Sequence, residues 1–217
     1  MALHRIFNDT PKFGADEIVG RVRAGQQIQG RPIALSEWRF TSGDPAVASA
    51  VAEMFGGTPQ KWETSSDEAL EVLSTTAVLP VELTSLTSEF VLWTNKSNRP
   101  IRACNGIVQT DELKTSCVCP SDLREHKDAA KVGTACQPSV RAVFRLTAAP
   151  DLGLFRFTSA SWQLAAAVEQ LEADLAERGG TSDATLALEL VEYQTKAGRD
   201  VRYTRPVIEL AALSVSA

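Results

Sequence analysis

The sequence of 217 residues has little histidine and none of the common catalytic motifs. Histidine occurs only as His4 and His126, which leaves little material for a Ser-His-Asp or Cys-His catalytic arrangement. The patterns G-x-S-x-G, G-x-x-x-x-G-K-[ST], G-x-G-x-x-G and H-E-x-x-H are all absent. We therefore predict a protein that acts by binding a partner and is not an enzyme.

The sequence also lacks a long apolar run and an excess of basic residues. No segment approaches the roughly 18 consecutive apolar residues of a membrane span, and the N-terminus has no apolar core typical of a signal peptide. These absences predict a cytoplasmic protein with no membrane contact. The net charge of −5 argues against strong non-specific binding to nucleic acid, because such binding depends on neutralising phosphates, and it favours a protein partner.

The pattern of apolar residues predicts an α+β fold with a mainly antiparallel sheet, two principal helices and a small cysteine-rich insertion. Residues 1–17 are polar and contain Pro11 and Gly14, which is typical of a flexible arm. We expect residues 18–217 to form a single domain, with the cysteine-rich insertion at about 104–137.

In the first half of the chain, strands are predicted at 18–22, 33–41, 68–83 and 88–94. Pro80 favours an edge position for the third of these strands. Between the second and third strands, Asp44-Pro45 has the form of a helix N-terminus, and Gly56-Gly57 ends the helix.

In the second half, alternating apolar residues at 140–146 and 154–157 predict a hairpin. A helix capped by Ser159 or Ser161 is expected to run to about Arg178. A last hairpin follows at 186–195 and 201–213, and Pro206 makes its second strand an edge or bulged strand.

All four cysteines fall in the predicted insertion: Cys104, Cys117, Cys119 and Cys136. A tetrahedral thiolate site takes its ligands from two or more backbone turns, and Cys117-Val118-Cys119-Pro120 is suited to supply one of them. The spacing C-x12-C-x-C-x16-C differs from the C-x2-C pairs of common zinc ribbons. We predict that the four cysteines bind a structural zinc ion.

Two alternatives to this four-cysteine site remain open. The cysteines can be inert thiols in a loop, although free cysteines prefer apolar surroundings and this segment is polar. His126 can also replace one cysteine as a ligand, but a lone histidine among charged residues is more often solvated. A catalytic zinc is disfavoured, because four thiolates leave no open position for water.

The pattern of the chain resembles the recombination directionality factors that accompany the large serine integrases of actinobacterial phages and prophages. The resemblance covers roughly residues 15–210. The strings that carry it are GRPIALSEWRFTSGDPAVASAVAEMFGGTPQKWET (30–64), the Cys104-Asn105-Gly106 turn, Cys-x-Cys-Pro at 117–120, GLFRFTSASW (153–162) and LALELVEYQTKAGRDVRYTRPVI (186–208).

This resemblance implies a large serine integrase as the protein partner, contacted in its DNA-binding and coiled-coil region, with DNA approached only through the integrase. It implies that integration is suppressed and excision enabled. The alternative is a phage accessory protein of replication or repair that binds single-stranded DNA by stacking bases on aromatic residues next to basic ones. The candidate stacking groups are Trp38 with Arg39, Trp93 with Lys96 and Arg99, and Phe155 with Arg156.

Overall fold

A computed structural model describes residues 18–29, 31–64, 66–93, 100–110 and 115–212. The predicted N-terminal arm at 1–17 lies outside the described residues. The fold is α+β, with a mostly antiparallel ten-stranded sheet, which confirms the predicted fold class. The helices are α1 (Pro45–Phe55), α2 (Leu123–Lys131) and α3 (Trp162–Glu177). The strands are β1 (Ile18–Ile28), β2 (Arg31–Ser42), β3 (Gln60–Lys61), β4 (Leu70–Leu73), β5 (Val78–Trp93), β6 (Pro100–Cys104), β7 (Gln137–Leu146), β8 (Leu154–Ser159), β9 (Ser182–Gln194) and β10 (Asp200–Leu210).

The sheet runs in the order β10-β9-β5-β7-β8-β1-β2-β4-β3, with β6 pairing with β5 outside this path. The pairs β9–β10, β1–β2, β2–β4 and β5–β9 are antiparallel, whereas β1 and β8 are parallel. Strand β10 ends the strand order and pairs with β9 in an unbroken register, with Pro206 opposite Leu188. The edge position predicted from Pro206 is therefore confirmed.

The chain groups into two compact units. Within the described residues, the first unit comprises Leu86–Arg141 and Ser159–Ala173, and it contains the described part of the predicted insertion. The second unit comprises residues 18–85, 142–158 and 174–212. The single-domain organisation of residues 18–217 stays a prediction.

The core of the second unit is centred on Trp38, which is completely buried. Its indole Nε1 donates a 3.0 Å hydrogen bond to the carbonyl of Ala77, and the Phe157 ring contacts it edge-on with centroids 5.3 Å apart. A buried indole with a satisfied N–H contributes the apolar area of a large aromatic without an unpaired donor. Trp38 and Phe40 are two residues apart in β2, so their side chains share one face of the strand, and both are buried.

Helix α1 begins and ends as predicted. The Asp44 side chain accepts a 2.7 Å hydrogen bond from the backbone N–H of Ala46, and Pro45 occupies the first turn. At the C-terminus, Gly57 has φ +87°, and a Cβ built there would lie 2.1 Å from the carbonyl oxygen of Leu73. This close approach requires glycine. The Gly56-Gly57 pair therefore ends the helix and also allows the chain to pack against the backbone of Leu73.

The strands between residues 68 and 94 differ from the prediction. Residues 74–77 separate β4 from β5, and the hydroxyl of Ser74 donates there to the carbonyl of Trp38 at 2.7 Å. Strand β5 then runs without interruption from Val78 to Trp93. Residues 84–87, which lie between the predicted strands 68–83 and 88–94, belong to β5. Among them, the Thr84 hydroxyl donates to the carbonyl of Val143. Pro80 lies in β5 between β9 and β7, so its predicted edge position is wrong. A proline is tolerated at this position because the neighbouring strand β7 ends at Leu146. Just beyond that end, the backbone N–H of Thr147 donates to the carbonyl of Pro80.

Candidate metal centre

Three of the four cysteines meet at one point of the first unit. Cys104 ends β6 opposite Phe90 of β5, Cys119 lies in the loop before α2, and Cys136 immediately precedes β7. The Sγ atoms of Cys104, Cys119 and Cys136 all lie within 4.8 Å of one another. Cys104 and Cys136 are completely buried, and Cys119 is half-buried. The structure thus assembles thiols that are 32 residues apart in the sequence into one group that can hold a metal ion.

The spacing and chemistry of this group fit a soft metal. Thiolate ligands select Zn²⁺ and similar ions, and a tetrahedral site with Zn–S bonds of about 2.3 Å places its sulfurs about 3.8 Å apart. The observed limit of 4.8 Å requires only small shifts to reach that value. Among the described residues, the group consists of thiols and includes no carboxylate, so hard cations such as Mg²⁺ and Ca²⁺ do not suit these ligands.

Cys117 lies beside the three-thiol group without being part of it. Its Sγ accepts a 3.3 Å hydrogen bond from the backbone N–H of Cys119, and its side chain packs against Phe90, Cys104 and Cys136. The C-x-C turn therefore keeps the fourth sulfur next to the other three. The prediction that Cys117 is the fourth ligand stays a prediction.

Donors surround the sulfurs in a way that favours thiolates. The guanidinium of Arg102 donates from Nε to Cys136 Sγ at 3.4 Å and from Nη2 to Cys119 Sγ at 3.6 Å. The backbone N–H of Cys136 donates to Cys119 Sγ at 3.4 Å. A cation and peptide N–H groups directed at sulfur stabilise its negative charge, as outer-shell groups commonly do around metal–thiolate sites.

The protonation of the thiols is divided unequally. Hydrogen bonding from the Cys104 thiol, assisted by Arg102 and Cys119, lowers the pKa of Cys136 to about 5. Burial raises the pKa of Cys119 to about 11, and the hydrogen bond to Cys136 together with burial raises the pKa of Cys104 well above its usual range. These contacts thus favour the thiolate form at Cys136 over the other two cysteines, and a bound divalent cation would replace the remaining thiol protons.

His126 has a role that sequence reasoning missed. It is buried in α2, and its Nε2 lies 2.8 Å from the carbonyl oxygen of Cys136. Its ring contacts those of Phe90 and Trp162, with centroids 5.1 and 5.2 Å away, and these two rings also contact each other at 5.7 Å. The imidazole thus contacts the backbone of a candidate ligand. The signal in the sequence is the spacing of Leu123, His126 and Ala130, which share one face of α2.

Arg102 was also missed as part of the site. It lies two residues before Cys104 on β6, and residues two apart on a strand share a face. An arginine at that position relative to a candidate thiolate ligand is the signal that could have identified it.

Two glutamates, Glu68 and Glu71, form ion pairs with arginines in the second unit. Glu71 accepts from Arg39 at 2.6 Å, and Glu68 pairs with Arg21 and Arg23 at 2.7 and 3.2 Å. The exposed fractions of the Arg39 and Glu71 side chains are only 6% and 11%. The Arg39–Glu71 pair is therefore buried, whereas Arg21 and Arg23, which pair with Glu68, are about a third exposed.

No helix in the described part of the chain is long and apolar enough to cross a membrane. Residues 19–212 match the model of the Gp3-like family, which is described as recombination directionality factor-like. The chain belongs to this family. Recombination directionality factor-like proteins are a regulatory, non-catalytic kind of protein. No solved structure matches the chain.

Proposed function

We propose that this chain is a non-catalytic accessory factor that binds a large serine integrase and switches it from integration to excision. The observation that carries the proposal is the family match over residues 19–212. A partner-binding role also agrees with the acidic net charge of −5, which does not favour direct binding to DNA. In this proposal, DNA is contacted only through the integrase.

The proposed switch needs binding energy and no chemistry from this chain. A factor that binds one integrase arrangement more tightly than another shifts the population between them. Moving an equilibrium from 1:99 to 99:1 requires about 5.5 kcal/mol of differential affinity. A nanomolar complex corresponds to about 12 kcal/mol of binding free energy, so the required difference between two integrase arrangements is a little under half of the total.

The alternative of single-stranded DNA binding has little support in the side chains. Trp38 and Phe155 have exposed fractions of 0% and 1%, so neither ring has a face available for a base. Trp93 is 44% exposed, but Lys96 and Arg99, its predicted basic neighbours, lie outside the described residues. Two of the three candidate stacking groups are therefore core residues.

The experiment is a recombination assay with the purified chain and its cognate integrase. Substrates carry either the two hybrid attachment sites or the original phage and bacterial sites. We expect excision only when the chain is present, together with reduced integration. If the integrase responds in neither direction, the proposal fails. A gel shift with labelled single-stranded DNA, without integrase, tests the alternative in parallel, because tight and salt-sensitive binding would favour it.

We further propose that Cys104, Cys117, Cys119 and Cys136 bind one structural zinc ion. Four sulfur ligands close the coordination shell, so the ion would hold the chain together and would not activate water. The support is the three-thiol group, with Cys117 packed against it and donors aimed at its sulfurs. Metal analysis should find about one zinc per chain.

Two variants test the ligand set. Replacing Cys117 and Cys119 by serine should abolish the bound zinc and destabilise the first unit. The matched control is Ser121→Ala, which changes an exposed position in the same loop and should retain zinc. A fully folded wild-type preparation without any metal would refute the zinc site and leave the recombination proposal standing.

A further inference from the structure

Helix α2 has few means of stabilising itself. It has only nine residues, shorter than the roughly 12–15 at which isolated helices become even marginally stable in water. His126 is its one buried residue. The Asp122 side chain caps the N-terminus by accepting from the N–H groups of Arg124 and Glu125, but a cap contributes only about 1 kcal/mol. The order of α2 must therefore come from what it contacts.

The principal contact of α2 is made by the His126 imidazole. Its Nε2 lies 2.8 Å from the carbonyl oxygen of Cys136, and since a carbonyl only accepts, Nε2 carries the proton and donates. Phe90 and Trp162 enclose the ring. Lys127 adds a second contact, with Nζ 5.5 Å from the centre of the Trp162 ring. Both contacts place α2 against the residues that surround the thiols.

Both ends of α2 are also close to candidate ligands in the sequence. Cys119 precedes the capping Asp122 by three residues. At the other end, Thr134 bonds the carbonyl of Ala129 with both its N–H and its hydroxyl, and Cys136 follows two residues later. A metal that fixes the two sulfurs therefore fixes the chain at both ends of the helix and the carbonyl to which His126 donates.

We infer that His126 is the positioning residue that couples α2 to the metal centre, so that α2 is ordered when metal is bound and loosens when it is removed. This inference rests on the zinc site proposed above. It makes the exposed face of α2, with Arg124 and Lys131, a surface whose geometry depends on the metal. The hydrogen bond from the His126 imidazole to the carbonyl of Cys136 attaches α2 to the backbone of this candidate ligand.

The test is hydrogen exchange on the full-length chain, zinc-loaded and after treatment with a chelator under reducing conditions. In the wild type, we expect amides of residues 123–131 to exchange at least tenfold faster after zinc removal. Amides of β1 and β2 in the second unit serve as the internal reference and should change little. Zinc content is measured on the same samples.

Two substitutions separate the coupling from packing. His126→Phe keeps a ring between Phe90 and Trp162 but removes the donor, whereas His126→Gln keeps a donor. We expect His126→Phe to retain one zinc per chain while its α2 amides exchange at nearly the same rate with and without metal. His126→Gln should restore part of the zinc-dependent protection. Nitrogen NMR of the wild-type imidazole should show the proton on Nε2 in the zinc-loaded form.

The outcomes distinguish the coupling from the zinc site. A chain that binds no zinc overturns both. A chain that binds one zinc, yet protects α2 equally with and without it, overturns the coupling alone. Unchanged zinc-dependent protection in His126→Phe overturns the role of His126. If that variant does not fold, the wild-type comparison and the NMR measurement still decide between these results.

Discussion

Replacing Arg102 by methionine should weaken zinc binding without removing any sulfur. The guanidinium donates to the Sγ atoms of Cys136 and Cys119 at 3.4 and 3.6 Å, and Nη2 also donates to the carbonyl of Thr134 at 3.4 Å. Methionine keeps a flexible apolar stem of similar reach but supplies neither donors nor charge. A closed four-thiolate zinc site carries a net charge of −2, so the loss of a neighbouring cation disfavours the loaded form.

The magnitude follows from the two sulfur contacts. A hydrogen bond that involves a charged group contributes about 1.5–3 kcal/mol when well shielded. Arg102 is only half-buried and its N–H···S distances are long, so we expect about 1–2 kcal/mol in total, or about a 5- to 30-fold increase in the zinc dissociation constant. Arg102→Lys keeps the charge but not the fork that reaches both sulfurs, and it should fall between the wild type and Arg102→Met.

The assay is competition for zinc with a chromogenic chelator of known affinity. Arg141→Met is the matched control, because Arg141 lies in the same unit but pairs with Glu89 at 2.6 Å. It should leave the zinc affinity unchanged. A dissociation constant for Arg102→Met within threefold of the wild type, or a similar loss in both variants, would refute the reasoning.

Five further variants test the second unit by urea unfolding. Glu71→Ala leaves the Arg39 cation buried without its partner and should cost about 3–5 kcal/mol, whereas Arg39→Met combined with Glu71→Leu should recover most of this loss. Asp44→Ala removes the N-cap of α1 and should cost about 1 kcal/mol. Gly57→Ala should cost more than Gly198→Ala, since both glycines have positive φ but only the first would place a Cβ against a backbone carbonyl. Equal losses for the two glycine variants would contradict that account.

Features with local causes were predictable from the sequence. Helix α1 was placed correctly, because Asp44, Pro45 and the Gly-Gly pair act within one or two turns of the helix. The cysteine group was recognised because thiols in a polar segment are unusual whatever the fold. The antiparallel character of the sheet followed from period-two alternation and short turns.

Features with distant causes were not predictable. The continuity of β5 depends on Thr84 bonding Val143, which lies 59 residues away in the sequence. The pairing of Glu71 depends on Arg39, 32 residues away. In isolation, a polar run suggests a break and a glutamate suggests solvent, because local patterns contain no information on which strands become neighbours. Local spacing places Arg102 on the face of Cys104 and His126 on one face of a helix, but it does not show that either residue contacts Cys136, which lies 34 and 10 residues away.

Cysteines make up much of the cluster around the candidate metal centre of the first unit. The cluster around Phe90 consists of Cys104 and Cys136, with Leu92, Cys117, Cys119 and Trp162 packed against it. Thiols offer little apolar area to bury, whereas a structural zinc ion contributes on the order of 10 kcal/mol to the fold that holds it. The second unit has large buried aromatics instead, among them Trp38, Phe144 and Phe157. Metal loss should therefore loosen the first unit, including α2, while the core of the second unit persists.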